Sequence, residues 1–312
     1  MRLPDGITSC VGFISHDQPT IQYGGTGFVV ATKGQHGNAF LHLVTAAHVA
    51  EAVEGSWAFG MNLKSGSGFL LKGGDVPCWW YHPTERANVD VAVTVFASEA
   101  IDEYDLNFIP ETMFATDARI AESNIGIGDE ISVVGLFTRF SGRKRHWPIA
   151  RTGNIAMMPD EAIPTKDYGP MEAYLAEGRS IGGLSGSPVF VRETVTVPSV
   201  NEKREPHPLL AHGRLFFLGL MHGHWEVPLG FKSIEQAEAV NMGISIVVPA
   251  KKVLEVIYHP ELVEMRKEAD ERFAAEKAPV ADDALGKKKA FTRKDFESAL
   301  KKASRKIEPA KH

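Results

Sequence analysis

The sequence predicts an all-β body with a helical, basic C-terminal extension, and three observations lead there. Twenty-nine glycines and eighteen prolines in 312 residues favour short strands joined by loops over long helices. From residue 7 to about 248, short apolar stretches recur between Gly- or Pro-containing loops. From Pro249 onward the apolar period changes to that of helices, and the charge changes with it. At roughly 150 residues per domain the chain has room for two modest domains. Apolar residues at 44% and charged residues at 23% exclude a disordered polymer and a coiled coil. No run of about 18 apolar residues occurs, which excludes a spanning helix. Met1-Arg2-Leu3-Pro4-Asp5 lacks the charged, apolar, small-residue order of a secretory signal. Cys10 and Cys78 are the only thiols, too few for a disulfide-stapled scaffold. Both are read as reduced, and the expected location is cytoplasmic.

The strand-like segments, in order, are Gly27 to Val30, Phe40 to Val44, Val89 to Phe96, Ile131 to Leu136, Val189 to Val191, Leu215 to Met221 and Ile244 to Val248. Many short strands with turn signals between them read as a sandwich or a pair of barrels. Glu99 to Ser123 is poorer in strand signal and reads as a link between two halves. There is no internal repeat. Lys251 to Tyr258, with Val253, Leu254 and Ile257 apolar, predicts a helix packed on the body, and Glu261 to Glu276 a charged helix ended by Pro279. Thr292 followed by Asp295 resembles a capping box opening Arg293 to Lys306, with Phe296, Leu300, Ala303 and Ile307 on one face. Residues 285–312 hold ten Lys/Arg against three Asp/Glu, a local +7 in a chain of net charge −5, so the remainder carries −12. Such asymmetry predicts an appended segment with its own partner.

Chemistry is concentrated in three places. In Gly182-Gly183-Leu184-Ser185-Gly186-Ser187-Pro188 a hydroxyl is flanked by glycines that permit a tight turn and close substrate approach. A serine becomes a nucleophile only beside a base, and its attack on a carbonyl needs N–H donors for the oxyanion. Ser185 is the candidate nucleophile, although alone the segment would read as an ordinary Gly/Ser hairpin. Val44-Thr45-Ala46-Ala47-His48 runs from an apolar strand into a small-residue turn, which places one imidazole at a strand end. His48 has the most directive context of the twelve histidines, and a neutral imidazole is the usual base for this chemistry. In Asn88-Val89-Asp90-Val91-Ala92-Val93-Thr94-Val95 the valines alternate along one strand face and Asp90 lies on the other. Such an aspartate is costly without a partner. Alone it would read as bonded to nearby backbone; beside His48 and Ser185 it becomes the group that orients the imidazole.

Taken together, these segments resemble the trypsin-like (chymotrypsin-fold) serine peptidases, especially the bacterial glutamyl endopeptidase and HtrA-type branch. The resemblance spans roughly residues 10–258 and rests on Gly25-Thr26-Gly27-Phe28-Val29-Val30, Thr45-Ala46-Ala47-His48, Asp90-Val91-Ala92-Val93 and Gly183-Leu184-Ser185-Gly186-Ser187-Pro188, in the family's His, Asp, Ser order. It implies two six-stranded β-barrels with the active site between them: residues 1–115 carrying His48 and Asp90, residues 116–258 carrying Ser185, and a charged helical tail over 259–312. It further implies a serine endopeptidase acting on protein or peptide substrates without a cofactor, with an oxyanion hole formed by the N–H groups of Gly183 and Ser185. The family pattern places substrate contacts at Arg179, Ser180, His222 and Gly223, with Arg179 favouring an acidic side chain before the cut bond. Leu184 stands where digestive relatives have an aspartate that pairs with a new N-terminus, so activation of that kind is not expected. Ser187 replaces a common glycine, as in the glutamyl endopeptidase pattern.

Two further readings remain from the residues themselves. His222 and His224, two apart on a strand, would share a face suited to zinc, with Cys78 or His82 as third ligands by type alone; no metal site is assigned. Trp79-Trp80-Tyr81 reads as core or cleft wall. The basic tail suits the chain's own acidic body, a partner protein or nucleic acid. A different class of function, a catalytically silent protease-fold binding module, stays open because fold does not guarantee activity.

Overall fold

The structure, a computed structural model, describes residues 3–17, 23–53, 55–73, 79–98, 100–178, 183–197, 209–228 and 239–277. Arg179, Ser180, Cys78 and the basic tail lie outside the described residues.

The chain is mostly β. The first part contributes β1 (Val11–His16), β2 (Tyr23–Lys33), β3 (Ala39–Thr45), the short helix α1 (Ala47–Ala52), β4 (Trp57–Asn62), β5 (Gly68–Lys72), β6 (Trp80–Tyr81), β7 (Ala92–Val95) and β8 (Ile109–Pro110). These strands form an eight-stranded sheet in the order β5-β4-β1-β2-β3-β7-β6, with β8 pairing in parallel beside β2. Among the described residues no pairing joins β5 to β6. The expected closure of this part into a six-stranded barrel is thus not seen among the described residues, where it forms one eight-stranded sheet. The link region, expected to be poor in strands, holds two short 3-10 turns, β8 and α2 (Asp117–Glu122), the last capped by Thr116.

The second part contributes β9 (Glu130–Gly135), β10 (Ile149–Met157), β11 (Ile163–Thr165), β12 (Gly169–Met171), β13 (Tyr174–Glu177), β14 (Pro188–Val197), β15 (Leu209–Pro228) and β16 (Ala239–Pro249). Six of them close a barrel in the order β10-β13-β16-β15-β14-β9, as the resemblance implied for this half, and β11–β12 form a separate hairpin. β15 is not short: at 20 residues it pairs first with β14 (Val197↔Leu209 to Pro188↔Leu220) and then with β16 (Gly219↔Pro249 to Pro228↔Ala239). Its register slips between Met221 and Gly223. That slip makes His222 the extra residue of a β-bulge, a device that redirects a side chain.

Two helices close the described chain. α3 (Ala250–Ile257) buries Val253, Val256 and Ile257 against the body, as its apolar spacing predicts. α4 (Pro260–Lys277), expected within the tail, is held against the β2–β3 hairpin. Its Asp270 carboxylate accepts the His36 N–H at 2.8 Å and the Asn38 amide at 2.7 Å. Its Phe273 stacks on Phe40. Trp79 and Trp80 belong to the apolar core that joins the first sheet to α3. No described helix is long and apolar enough to cross a membrane.

Candidate active site

Asp90 lies at the centre of the site. It was expected inside a strand, but β7 begins only at Ala92, and Val89 to Thr94 are all buried. The alternation in sequence therefore does not separate a core face from a solvent face here, because elements cover both sides. The carboxylate is fully buried, and donors surround it. The His48 backbone N–H donates to Oδ1 at 3.0 Å, and His48 Nδ1 meets Oδ2 at 2.8 Å. The first of these bonds explains a local feature of α1. That helix has no side-chain cap of its own, and Asp90 takes one of its first N–H groups. His48 is thus the second residue of a helix, where a turn was expected.

His222 is the second imidazole on the same carboxylate, with Nδ1 2.5 Å from Asp90 Oδ2. Its ring meets His48 edge-on with centroids 5.6 Å apart, and meets Tyr168 at the same separation. His222, expected to face substrate, turns its ring onto Asp90. The bulge at Met221/Gly223 turns that ring into the site and breaks the shared-face relation with His224.

Charge follows from this geometry. Burial alone would raise the Asp90 carboxyl, but the hydrogen bonds from His222 and His48 outweigh it and hold it well below the usual carboxylate range. Burial pulls His48 down, yet the Asp90 bond and charge, with Glu51 and Asp167 beyond, lift it above its ordinary value of 6.5. The Tyr168 phenol is pushed far up, first by burial and then by the Asp90 charge.

Ser185 sits on the turn expected of it. Gly183 and Gly186 have φ of +97° and +81°, and a Cβ on Gly186 would lie 2.2 Å from the Thr26 carbonyl oxygen. Only glycine meets both demands. The Gly186 N–H goes to the Met221 carbonyl and the Ser187 N–H to the Leu184 carbonyl. Among the described residues no carbonyl takes the N–H of Gly183 or of Ser185. The Ser185 hydroxyl donates to the His222 carbonyl at 3.0 Å, so its single proton is not given to His48 in this arrangement. Leu184 is buried.

Thr26 carries a role that the sequence reading quoted without assigning. Its hydroxyl donates to the Gly183 carbonyl at 2.7 Å and accepts the Leu136 N–H at 2.9 Å. The Ser185 carbonyl accepts the Thr26 N–H. Thr45 in turn donates to the Thr26 carbonyl. The strand β2 thereby pins the serine turn from both sides. The signal was present, a threonine between two glycines, but its partner lies more than a hundred residues away.

The nitrogen and oxygen atoms of His48, Asp90 and His222 are close enough to raise a metal site. Their spacing argues for hydrogen bonds instead. Tetrahedral ligands about 2.0 Å from zinc lie roughly 3.3 Å apart, whereas the contacts to Asp90 Oδ2 are 2.8 and 2.5 Å. The second such cluster, His82, Glu85 and Glu255, already has its atoms engaged within the protein. Lys252 Nζ bonds Glu85 at 2.8 Å and Glu255 at 3.1 Å, and the Glu85 N–H occupies His82 Nδ1.

No protein-family model matches the chain, and no curated protein matches it. Among solved structures, the chain is similar to the MamO protease domain from Magnetospirillum magneticum in its apo form, with 11% identity, 81% of this chain and 97% of that chain covered, and a TM-score of 0.48. It is also similar to Deg5, with 15% identity, coverage of 79% and 86%, and a TM-score of 0.44.

Proposed function

We propose that the protein is a serine endopeptidase that cleaves protein or peptide substrates through an acyl-enzyme, with Ser185 as nucleophile, His48 as base and Asp90 as orienter. The observation that supports it most is the His48–Asp90 pair, bonded through both the ring and the backbone of His48, with Ser185 on a left-handed glycine turn and linked to the same carboxylate through His222. With Nδ1 engaged by Asp90, His48 keeps Nε2 as its proton acceptor. The Ser185 hydroxyl turns from the His222 carbonyl to that nitrogen, exchanging one hydrogen bond of about 1 kcal/mol for another. As Oγ attacks the substrate carbonyl, Nε2 takes its proton, and the N–H groups of Gly183 and Ser185 receive the oxyanion. The proton then passes from His48 to the leaving amine, and water releases the acyl group with His48 again as base.

The test is a fluorophosphonate probe. It should label the wild type at Ser185 and leave Ser185→Ala unlabelled, and the labelling rate should climb as pH rises through the His48 pKa, above 6.5. Labelling that persists in Ser185→Ala would refute the assignment. One observation favours a second reading, a catalytically silent binding module: the hydroxyl proton is directed to the His222 carbonyl and not to His48. Complete absence of labelling in the wild type would select that reading.

A further inference from the structure

We propose that His222 is a positioning residue that shares Asp90 with His48, so that the hold of Asp90 on the His48 ring depends on a second N–H donor. The kinetic part of this proposal rests on the serine-peptidase reading; the structural part does not.

Three features converge on His222. The bulge in β15 makes it the unpaired residue of its strand, which frees its side chain from the alternation that places Met221 in the barrel core. Its ring, whose side chain is only 17% exposed, donates from Nδ1 to the same oxygen that receives His48 Nδ1. Its carbonyl holds the Ser185 hydroxyl. One residue therefore touches both ends of the proposed proton-transfer row.

The electrostatic consequence follows from counting donors. A carboxylate oxygen that receives two N–H groups gives each less than an undivided charge. His222 thus moderates the pull of Asp90 on His48 and loads the oxygen that orients it. The other charged or titrating groups that act on this centre are Glu51 on α1, Asp167 and Tyr168 in the β11–β12 turn, and Arg86, which acts through Tyr168.

His222→Asn puts an amide N–H near the position of ring Nδ1 without a titrating group, and His222→Leu removes the donor. On a cleaved peptide, His222→Leu should lower kcat by about ten- to a hundredfold, the scale of a hydrogen bond to a charged group, with KM little changed. His222→Asn should recover most of that loss. Independently of turnover, nitrogen NMR of ring-labelled full-length protein should show the His48 titration displaced between the wild type and both variants. Identical His48 titration in all three proteins would overturn the proposal. So would a raised KM with kcat intact, which is the mark of a ring that contacts substrate. If the wild type cleaves nothing, the peptidase reading fails, and the NMR comparison still decides the shared carboxylate.

Discussion

Replacing His42 by Gln tests how α4 is attached, and the effect can be worked out from the structure. His42 lies on β3 at 1% exposure, with Nε2 3.0 Å from the Arg266 guanidinium of α4 and 3.3 Å from the Thr32 hydroxyl. The guanidinium can only donate, so Nε2 accepts and the ring is neutral. Adding a proton would remove that acceptor and set two cations against each other. Burial, and then the Arg266 charge, accordingly lower the His42 pKa from 6.5 to about 3. In the unfolded chain the ring takes its proton near 6.5. As pH falls from there toward about 3, the unfolded state binds one proton more than the folded state, and stability is lost throughout that window. Between about pH 7.5 and pH 5 the loss integrates to roughly 2 kcal/mol. At pH 5 the result hardly depends on the folded value, since the buried ring is still neutral there. Gln presents an oxygen near the place of Nε2 and does not titrate. Urea unfolding at the two pH values should therefore show the wild type losing about 2 kcal/mol more than His42→Gln, with other acid-sensitive groups cancelling between the proteins. Equal losses in the two proteins would refute the buried, neutral imidazole.

Other expectations are simpler. Thr26→Val removes the bonds to the Gly183 carbonyl and from the Leu136 N–H and should cost about 1–3 kcal/mol in unfolding free energy. It should also slow fluorophosphonate labelling by at least about tenfold, whereas unchanged labelling would show that the serine turn holds its shape alone. The Cys10 thiol is buried, donates to the Ile7 carbonyl, and is pushed up to about 12 by desolvation. In a Cys78→Ser background it should resist a thiol-reactive disulfide reagent at mildly alkaline pH until denaturant is added; rapid reaction of the folded protein would contradict its burial.

Much of the candidate site was legible because its chemistry is local. A serine between glycines, an imidazole after small residues and an aspartate among valines each declare backbone demands through their immediate neighbours. Their partners are another matter. His222 was placed as a substrate contact by the family pattern, and was set on one face with His224 by assuming unbroken alternation along the strand. The slip that turns its ring onto Asp90 exists only in the pairing of β15 with β16. Asp90 was read as a strand residue, since four alternating valines mimic a strand that in fact begins at Ala92. The charged helix beyond residue 260 was placed in the tail. Its attachment through Arg266 and Asp270 depends on a hairpin more than two hundred residues earlier.

Apolar period, glycine placement and side-chain type are properties of a few adjacent residues, and they were enough to establish a β-rich body, its closing helix and the three chemical segments. Strand register, the strand order of the first sheet, the closure of the second into a barrel and the meeting of two imidazoles on one carboxylate are set by contacts between distant segments. Those contacts compete with many alternatives of similar local energy, and they become unique only once the whole chain has packed.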